Sequence, residues 1–358
     1  MGVRGKNLSQ IKKYMNKKFV IITVFVVSIG YLLNSTGFFR SIEKSFDGNI
    51  IKKVNLKGAE DITINHIDSF AIISATNRKN LPAIDQETGG LYFLDLKDIN
   101  SKPVLLTKNF NKPFAPHGIS IYSKNNITTI AAVNHTLDGE FIEIFELNNM
   151  KLTHVKSLYN DLILAPNDIV LLDDKTFYFT NDHKFKTGFM RLIEENMGLS
   201  LSNVIYYNGR SFKEVATGIS YANGINYDEN RNLIFVASPR KFEIKVYKKE
   251  LDNSLTFLEN IYCGSGIDNI EFDLKNNLWA GAHPNLLHFL SYTLGYNKTS
   301  PSEILKIQYK GKNNYQVDTV YLENGEEMSG ATVAAPFNNL LLVGNVFDKH
   351  FLILETSN

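Results

Sequence analysis

The chain has 358 residues, 44% of them apolar, and a formal net charge of +1. A balance so close to zero gives no electrostatic footprint for nucleic acid or for a strongly acidic partner. A single cysteine, Cys263, excludes an intramolecular disulfide, which leaves packing, strand pairing and metal as sources of stability.

The N-terminal segment stands apart. Arg4, Lys6, Lys12, Lys13, Lys17 and Lys18 precede an apolar run, Phe19–Leu33, FVIITVFVVSIGYLL. The run is short of the ~20 residues that span a bilayer but can be extended to Phe39. No small-x-small cleavage site follows it, so an uncleaved signal anchor is expected, with a cleaved signal peptide and a secreted product as the alternative. The basic flank would stay cytoplasmic, which places everything after about Ser41 on the far side of a membrane. The chain is thus divided into 1–40, a basic flank with a single-pass transmembrane helix, and 41–358, one large domain.

Beyond the anchor, strand patterns dominate, and one pattern recurs. Each unit opens on a small or polar cluster, followed by a strand, a turn and a more apolar strand. The units are Glu60–Ala75, His117–His135, Asn167–Asp182, Asn223–Ser238, Asp268–His283 and Ser329–Val346. Their starts are 57, 50, 56, 45 and 61 residues apart, close to the ~50-residue, four-stranded blade of a propeller. An all-β, six-bladed β-propeller is predicted, with the anchor helix in front of it. In such a ring the leading residues Glu60/Asp61, His117, Asn167/Asp168, Asn223, Asp268/Asn269 and Ser329 converge at one end of a central tunnel. A ring of carboxylates and amides suits Ca²⁺ better than zinc. Neighbouring side chains of an extended chain point to opposite faces, so Asn167 and Asp168 could serve two different sites. Taken alone, Pro166-Asn167-Asp168 also reads as an ordinary turn.

An insertion, Lys184–Leu201, interrupts the third unit. Phe185, Phe189, Leu192, Ile193, Met197 and Leu201 could share one helical face. The helix is expected to pack on the propeller rim, near the tunnel mouth or on the opposite side. Tyr221, just before Asn223, is a candidate pocket wall.

The stretches GAEDI, PHGIS, VNH, APNDIV, FTNDHKF, ANGIN, IDNIEFD, LWAGAHPN, YLENGEEMSGATVA and LLLVGNVF occur in this order from Gly58 onward. Together they resemble the paraoxonase family of calcium-dependent lactonases and arylesterases. The resemblance implies two Ca²⁺ ions. A catalytic one would be held by Glu60, Asn167, Asn223, Asp268 and Asn269. A structural one, deeper in the tunnel, would be held by Asp61, Asp168 and the backbone carbonyl of Ile119. It also implies a catalytic histidine pair, with His117 activating water and His135 orienting it or relaying its proton. His283 would lie near the substrate pocket, and Phe189 belongs to the region that in the family is an active-site lid with apolar contacts to substrate and membrane. Two departures stand out. The disulfide that joins the chain ends in the family's animal members cannot form here, so Phe351–Glu355 is expected to pair with residues near Ile50–Leu56 instead. The family's pocket cysteine is replaced by Ala282. The expected activity is calcium-dependent opening of lipophilic lactones and aryl esters, with the membrane as a further partner. A gluconolactonase-type sugar lactonase and a non-catalytic, calcium-stabilised binding propeller are the alternatives. Nothing in the sequence fixes the oligomeric state.

Overall fold

A computed structural model describes residues 3–84 and 88–356. Its strands form six antiparallel sheets, which are the blades of a propeller. The six repeated stretches supply the two inner strands of every blade. The innermost are Ala59–Asn65, Pro116–Lys124, Pro166–Leu171, Ile225–Asp228, Gly266–Phe272 and Ala331–Phe337. The second strands are buried almost throughout, and Phe177–Asn181 and Leu233–Ser238 entirely so, because each is covered on both faces by neighbouring blades. This is why they read as continuous apolar runs.

The core is divided among the blade interfaces. Each of six apolar clusters is shared by two adjacent blades. Ile73 and Leu94 of the first blade, for example, pack with Val333 and Phe351 of the sixth. The ring is closed by backbone pairing, as expected. Gly48–Asn55 forms the outer strand of the sixth blade, antiparallel to His350–Thr356, with Lys53 opposite Leu352. Just before it, Ser45–Phe46 adds to the edge of the fifth blade, so the N-terminal segment ties two blades together.

Three helices decorate this ring. Helix α1, Val3–Ser35, contains an apolar span, Lys17–Ser35, long enough to cross a membrane and with none of its residues buried in the chain. Its C-terminal end is seated on the propeller. The Leu286 amide donates to the Thr36 carbonyl at 2.9 Å, and Arg40 grips both carboxylate oxygens of Glu303 at 2.6 and 2.7 Å. Gly37 has φ +72°, and a Cβ there would stand 2.1 Å from the Pro284 carbonyl, so only glycine fits. Helix α2, Phe189–Met197, is the predicted insertion helix. Helix α3, Leu286–Thr293, was not predicted; the Asn285 side chain caps it by accepting the His288 amide.

Candidate metal centre and active site

The ring residues reach the tunnel because the inner strands are irregular where they begin. Pairing slips between Ala59 and Asp61, Pro116 and Ile119, Pro166 and Ile169, Ile267 and Ile270, and Ala331 and Ala334. A bulge frees residues from the ladder and re-aims their side chains. The freed residues include Glu60, His117, Asn167, Asp168, Asp268 and Asn269. Asn223 precedes the shortest inner strand, Ile225–Asp228. The blades approach closely here. A Cβ on Gly118 would lie 2.4 Å from the Asp168 Cα, which explains the glycine in PHGIS.

Glu60, Asn167, Asn223, Asp268 and Asn269 are all buried. The Oδ1 atoms of Asn167, Asn223 and Asn269 and the Oε2 of Glu60 have no hydrogen-bond partner. Leaving a buried acceptor unsatisfied costs about 1–3 kcal/mol each, and a cation would satisfy all four. Among the described residues, no three carboxylate, histidine or thiol side chains are grouped to hold a metal. The donor set is instead rich in amide oxygens, which suits a hard ion such as Ca²⁺. Asn269 Nδ2 donates to Glu60 Oε1 at 3.1 Å, and Thr332 Oγ1 donates to the Glu60 carbonyl at 2.6 Å. Burial alone would raise the Glu60 pKa, but the neighbouring His117 and Arg78 charges outweigh it and hold the carboxyl at about 2. His283 Nε2 lies 2.9 Å from Asp268 Oδ2, and its ring stacks on Phe289 at 3.6 Å. Ser329, the sixth leading residue, is engaged elsewhere: its amide donates to Asp348 and its hydroxyl to the Gly325 carbonyl.

Asp61 and Asp168 occupy different surroundings from their neighbours Glu60 and Asn167. Asp61 accepts the amides of Ile62 (2.9 Å) and Ile119 (2.8 Å). Asp168 accepts those of Ile169 and Ile225, both at 2.7 Å. What Ile119 visibly gives Asp61 is therefore its amide. Burial pushes both carboxyls well above the usual range, and repulsion adds to it, from Glu60 on Asp61 and from Asp61 on Asp168. A cation between them is the physical remedy for two buried like charges.

The histidine pair is assembled beside Glu60. His117 Nδ1 lies 2.8 Å from His135 Nε2, and His135 Nδ1 lies 2.5 Å from Glu140 Oε2. The other nitrogen of His117, Nε2, stands 3.4 Å from Glu60 Oε1. Burial lowers the His117 pKa, and the Arg78 charge lowers it further. Sequence reasoning missed Glu140, although it sits directly opposite His135 across the hairpin. It also missed Arg78, and it singled out Asp182–His183 in FTNDHKF without giving the pair a role. There Nδ1 meets Oδ1 at 2.6 Å, and the imidazole holds the partly exposed Asp182 carboxyl below its usual value against the effect of burial. His183 meets Tyr221 edge-on at 4.8 Å.

Helix α2 lies on the side of the tunnel mouth. Arg191 Nη1 is 3.9 Å from Asp182 Oδ1, and Ser220 Oγ donates to the Gly198 carbonyl at 2.8 Å. Its one buried residue is Glu194, which accepts the amides of Lys184 and Phe185. Phe189 is 76% exposed, and Leu192 and Met197 are exposed with it. Phe189, expected at the pocket, therefore stands in solvent, because the helix is held by its polar side.

Fold and ring together define a six-bladed propeller with a buried polar ring at its centre. The arylesterase family model matches residues 39–353, and the chain belongs to that family, as an enzyme that hydrolyses esters and lactones. It is 32% identical over 301 residues to serum paraoxonase/arylesterase 2 of Rattus norvegicus, covering 82% of this chain and 84% of that one. It is also 32% identical over 302 residues to serum paraoxonase/lactonase 3 of Homo sapiens, with the same coverage. Among solved structures it is similar to a luciferin-regenerating enzyme, with TM-score 0.53, 11% identity and coverage of 88% and 96%. A gluconolactonase from Xanthomonas campestris gives TM-score 0.52, 10% identity and coverage of 89% and 99%. Likeness at such identities shows the propeller fold alone.

Proposed function

We propose that the chain is a calcium-dependent lactonase and arylesterase for lipophilic substrates. The observation that carries this is the set of four buried oxygens without a hydrogen bond on Asn167, Asn223, Asn269 and Glu60, the last met only by Arg78 at 3.4 Å, placed beside a histidine chain. Glu60, Asn167, Asn223, Asp268 and Asn269 would hold the catalytic ion. Asp61, Asp168 and the Ile119 carbonyl would hold a second, structural one. When bound, the catalytic calcium supplies positive charge against the oxyanion that develops on the scissile carbonyl.

His117 Nε2 takes a proton from the attacking water, and its lowered pKa keeps it neutral for that purpose. The proton already on Nδ1 is shared with His135 Nε2 across 2.8 Å. Glu140 orients His135 and stabilises its charged form. Return of the proton to the leaving oxygen completes the cycle. Asp268 positions His283 and Tyr221 positions His183, which gives both rings a place on the pocket wall.

Residues 1–40 serve as a single-pass anchor and 41–358 as the extracytoplasmic catalytic domain, with secretion after cleavage as the other outcome. The exposed apolar side of α2, at the mouth, favours lipophilic substrates delivered from a membrane over sugar lactones. A panel of an aliphatic lactone, a sugar lactone and phenyl acetate, with calcium or chelator, tests the reading. The first and third should be turned over in calcium only. Preference for the sugar lactone, or hydrolysis indifferent to chelation, would contradict it.

A further inference from the structure

Arg78 is largely buried beside the ring and has no assigned role. It lies in the single helical turn Arg78–Asn80 that follows the second strand of the first blade. Its side chain is 13% exposed, and Nη2 stands 3.4 Å from Glu60 Oε2. Both Nε and Nη2 are buried without a hydrogen-bond partner. Buried donors on a charged group rarely stay unpaired unless something outside the chain completes them. Glu60 is a loose single contact that cannot use the guanidinium fork. Glu60, the carboxylate that the chain sets beside this guanidinium, is also a ring residue, so a cation bound in the ring would compete for it and leave the charge of Arg78 poorly matched.

The reaction creates such an anion. Substrate esters and lactones are neutral. Water oxygen bonds to the carbonyl carbon, the bond to the alcohol oxygen breaks, and that oxygen takes one proton. The acid gives up another and leaves as a carboxylate. A guanidinium matches a carboxylate with two parallel hydrogen bonds. We infer that Arg78 is the anion receptor of this pocket, binding the carboxylate of the released acid through Nε and Nη2. The inference rests on the hydrolase reading of the same site. Its consequence is that simple carboxylates are product-like inhibitors, and that their affinity depends on Arg78.

The test is calorimetric titration of the full-length, calcium-loaded chain in detergent with hexanoate and with its neutral isostere hexanamide. Wild type should bind hexanoate at least about tenfold tighter, the lower end of what one charge-assisted hydrogen bond contributes. Arg78→Gln should lose about tenfold or more in hexanoate affinity and leave hexanamide within about twofold. Arg78→Lys keeps the charge without the fork and guards against misfolding; its preference for hexanoate should fall severalfold and survive. Equal affinities in wild type, or an unchanged preference in either variant, would overturn the assignment. Phenyl acetate hydrolysis by the same wild-type sample separates the two claims. If hydrolysis is absent, the hydrolase reading fails. If it is present but hexanoate affinity ignores Arg78, only the receptor role fails.

Discussion

Withdrawing calcium should lower the melting temperature, and by more at higher pH. Asp61 and Asp168 each accept two backbone amides, yet burial and neighbouring negative charge raise both carboxyls well above their ordinary value. Without a cation, the folded chain holds protons there that the unfolded chain releases above about pH 3.9. That contribution to stability is full below the unfolded pKa and is lost as pH rises through the raised folded values. Bound calcium reverses the situation by stabilising the ionised pair. An ion present at a hundred times its dissociation constant stabilises by about 2.7 kcal/mol. A domain of this size shifts by about 2 °C per kcal/mol, so two sites predict a difference of about 10 °C. Differential scanning calorimetry of the chain in calcium and in excess chelator, at mildly acidic and mildly alkaline pH, measures it. Equal melts, or a gap that narrows as pH rises, would refute the reasoning.

Asn223→Ala should abolish hydrolysis of phenyl acetate while the calcium-loaded protein keeps its circular dichroism spectrum, since Asn223 Oδ1 bonds to nothing else in the chain. His117→Gln should reduce kcat by about 10²–10⁴ on lactones, checked by initial rates. Because the His117 pKa is lowered and the base acts when neutral, the acid limb of kcat/KM should fall below the ordinary histidine value near 6.5; a limb above it would exclude His117 as the base. Gly37→Val should loosen α1 from the propeller, since its side chain would meet the Pro284 carbonyl. Limited proteolysis near residues 36–44 should then speed up with catalysis by the released domain retained.

The propeller was legible because the two inner strands of each blade carry a repeating chemistry: a polar start for the tunnel, then apolar strands for the blade interfaces. Outer strands carry no such constraint. Val104–Leu105 pairs at only Tyr92 and Phe93 and has no distinctive pattern. Strand parity suggested different surroundings for Asn167 and Asp168; both lie in the bulge between Pro166 and Ile169, where regular alternation is broken, and what differs there is their hydrogen bonding. Arg78 and Glu140 could not be found in that way. One sits in a turn after a second strand and the other at the start of a third strand; Arg240 and Glu243 hold the like places in the fourth blade, but neither position belongs to the polar cluster that opens each repeat. For α2, helical periodicity grouped Phe189, Leu192 and Met197 on one face but could not say whether that face turns inward. The answer depends on Glu194, whose carboxylate holds the Lys184 and Phe185 amides and so fixes the polar side against the protein. Helix α3 is a short apolar run whose only signal is the cap at Asn285.

The division of labour between Asn167 and Asp168 is the central claim, and anomalous diffraction from crystals grown in calcium tests it most directly. Two ions are predicted in the tunnel. One should be ligated by the oxygens of Glu60, Asn167, Asn223, Asp268 and Asn269, the other by Asp61, Asp168 and the Ile119 carbonyl. A single ion bridging Asn167 and Asp168, or a tunnel without calcium, would contradict the account.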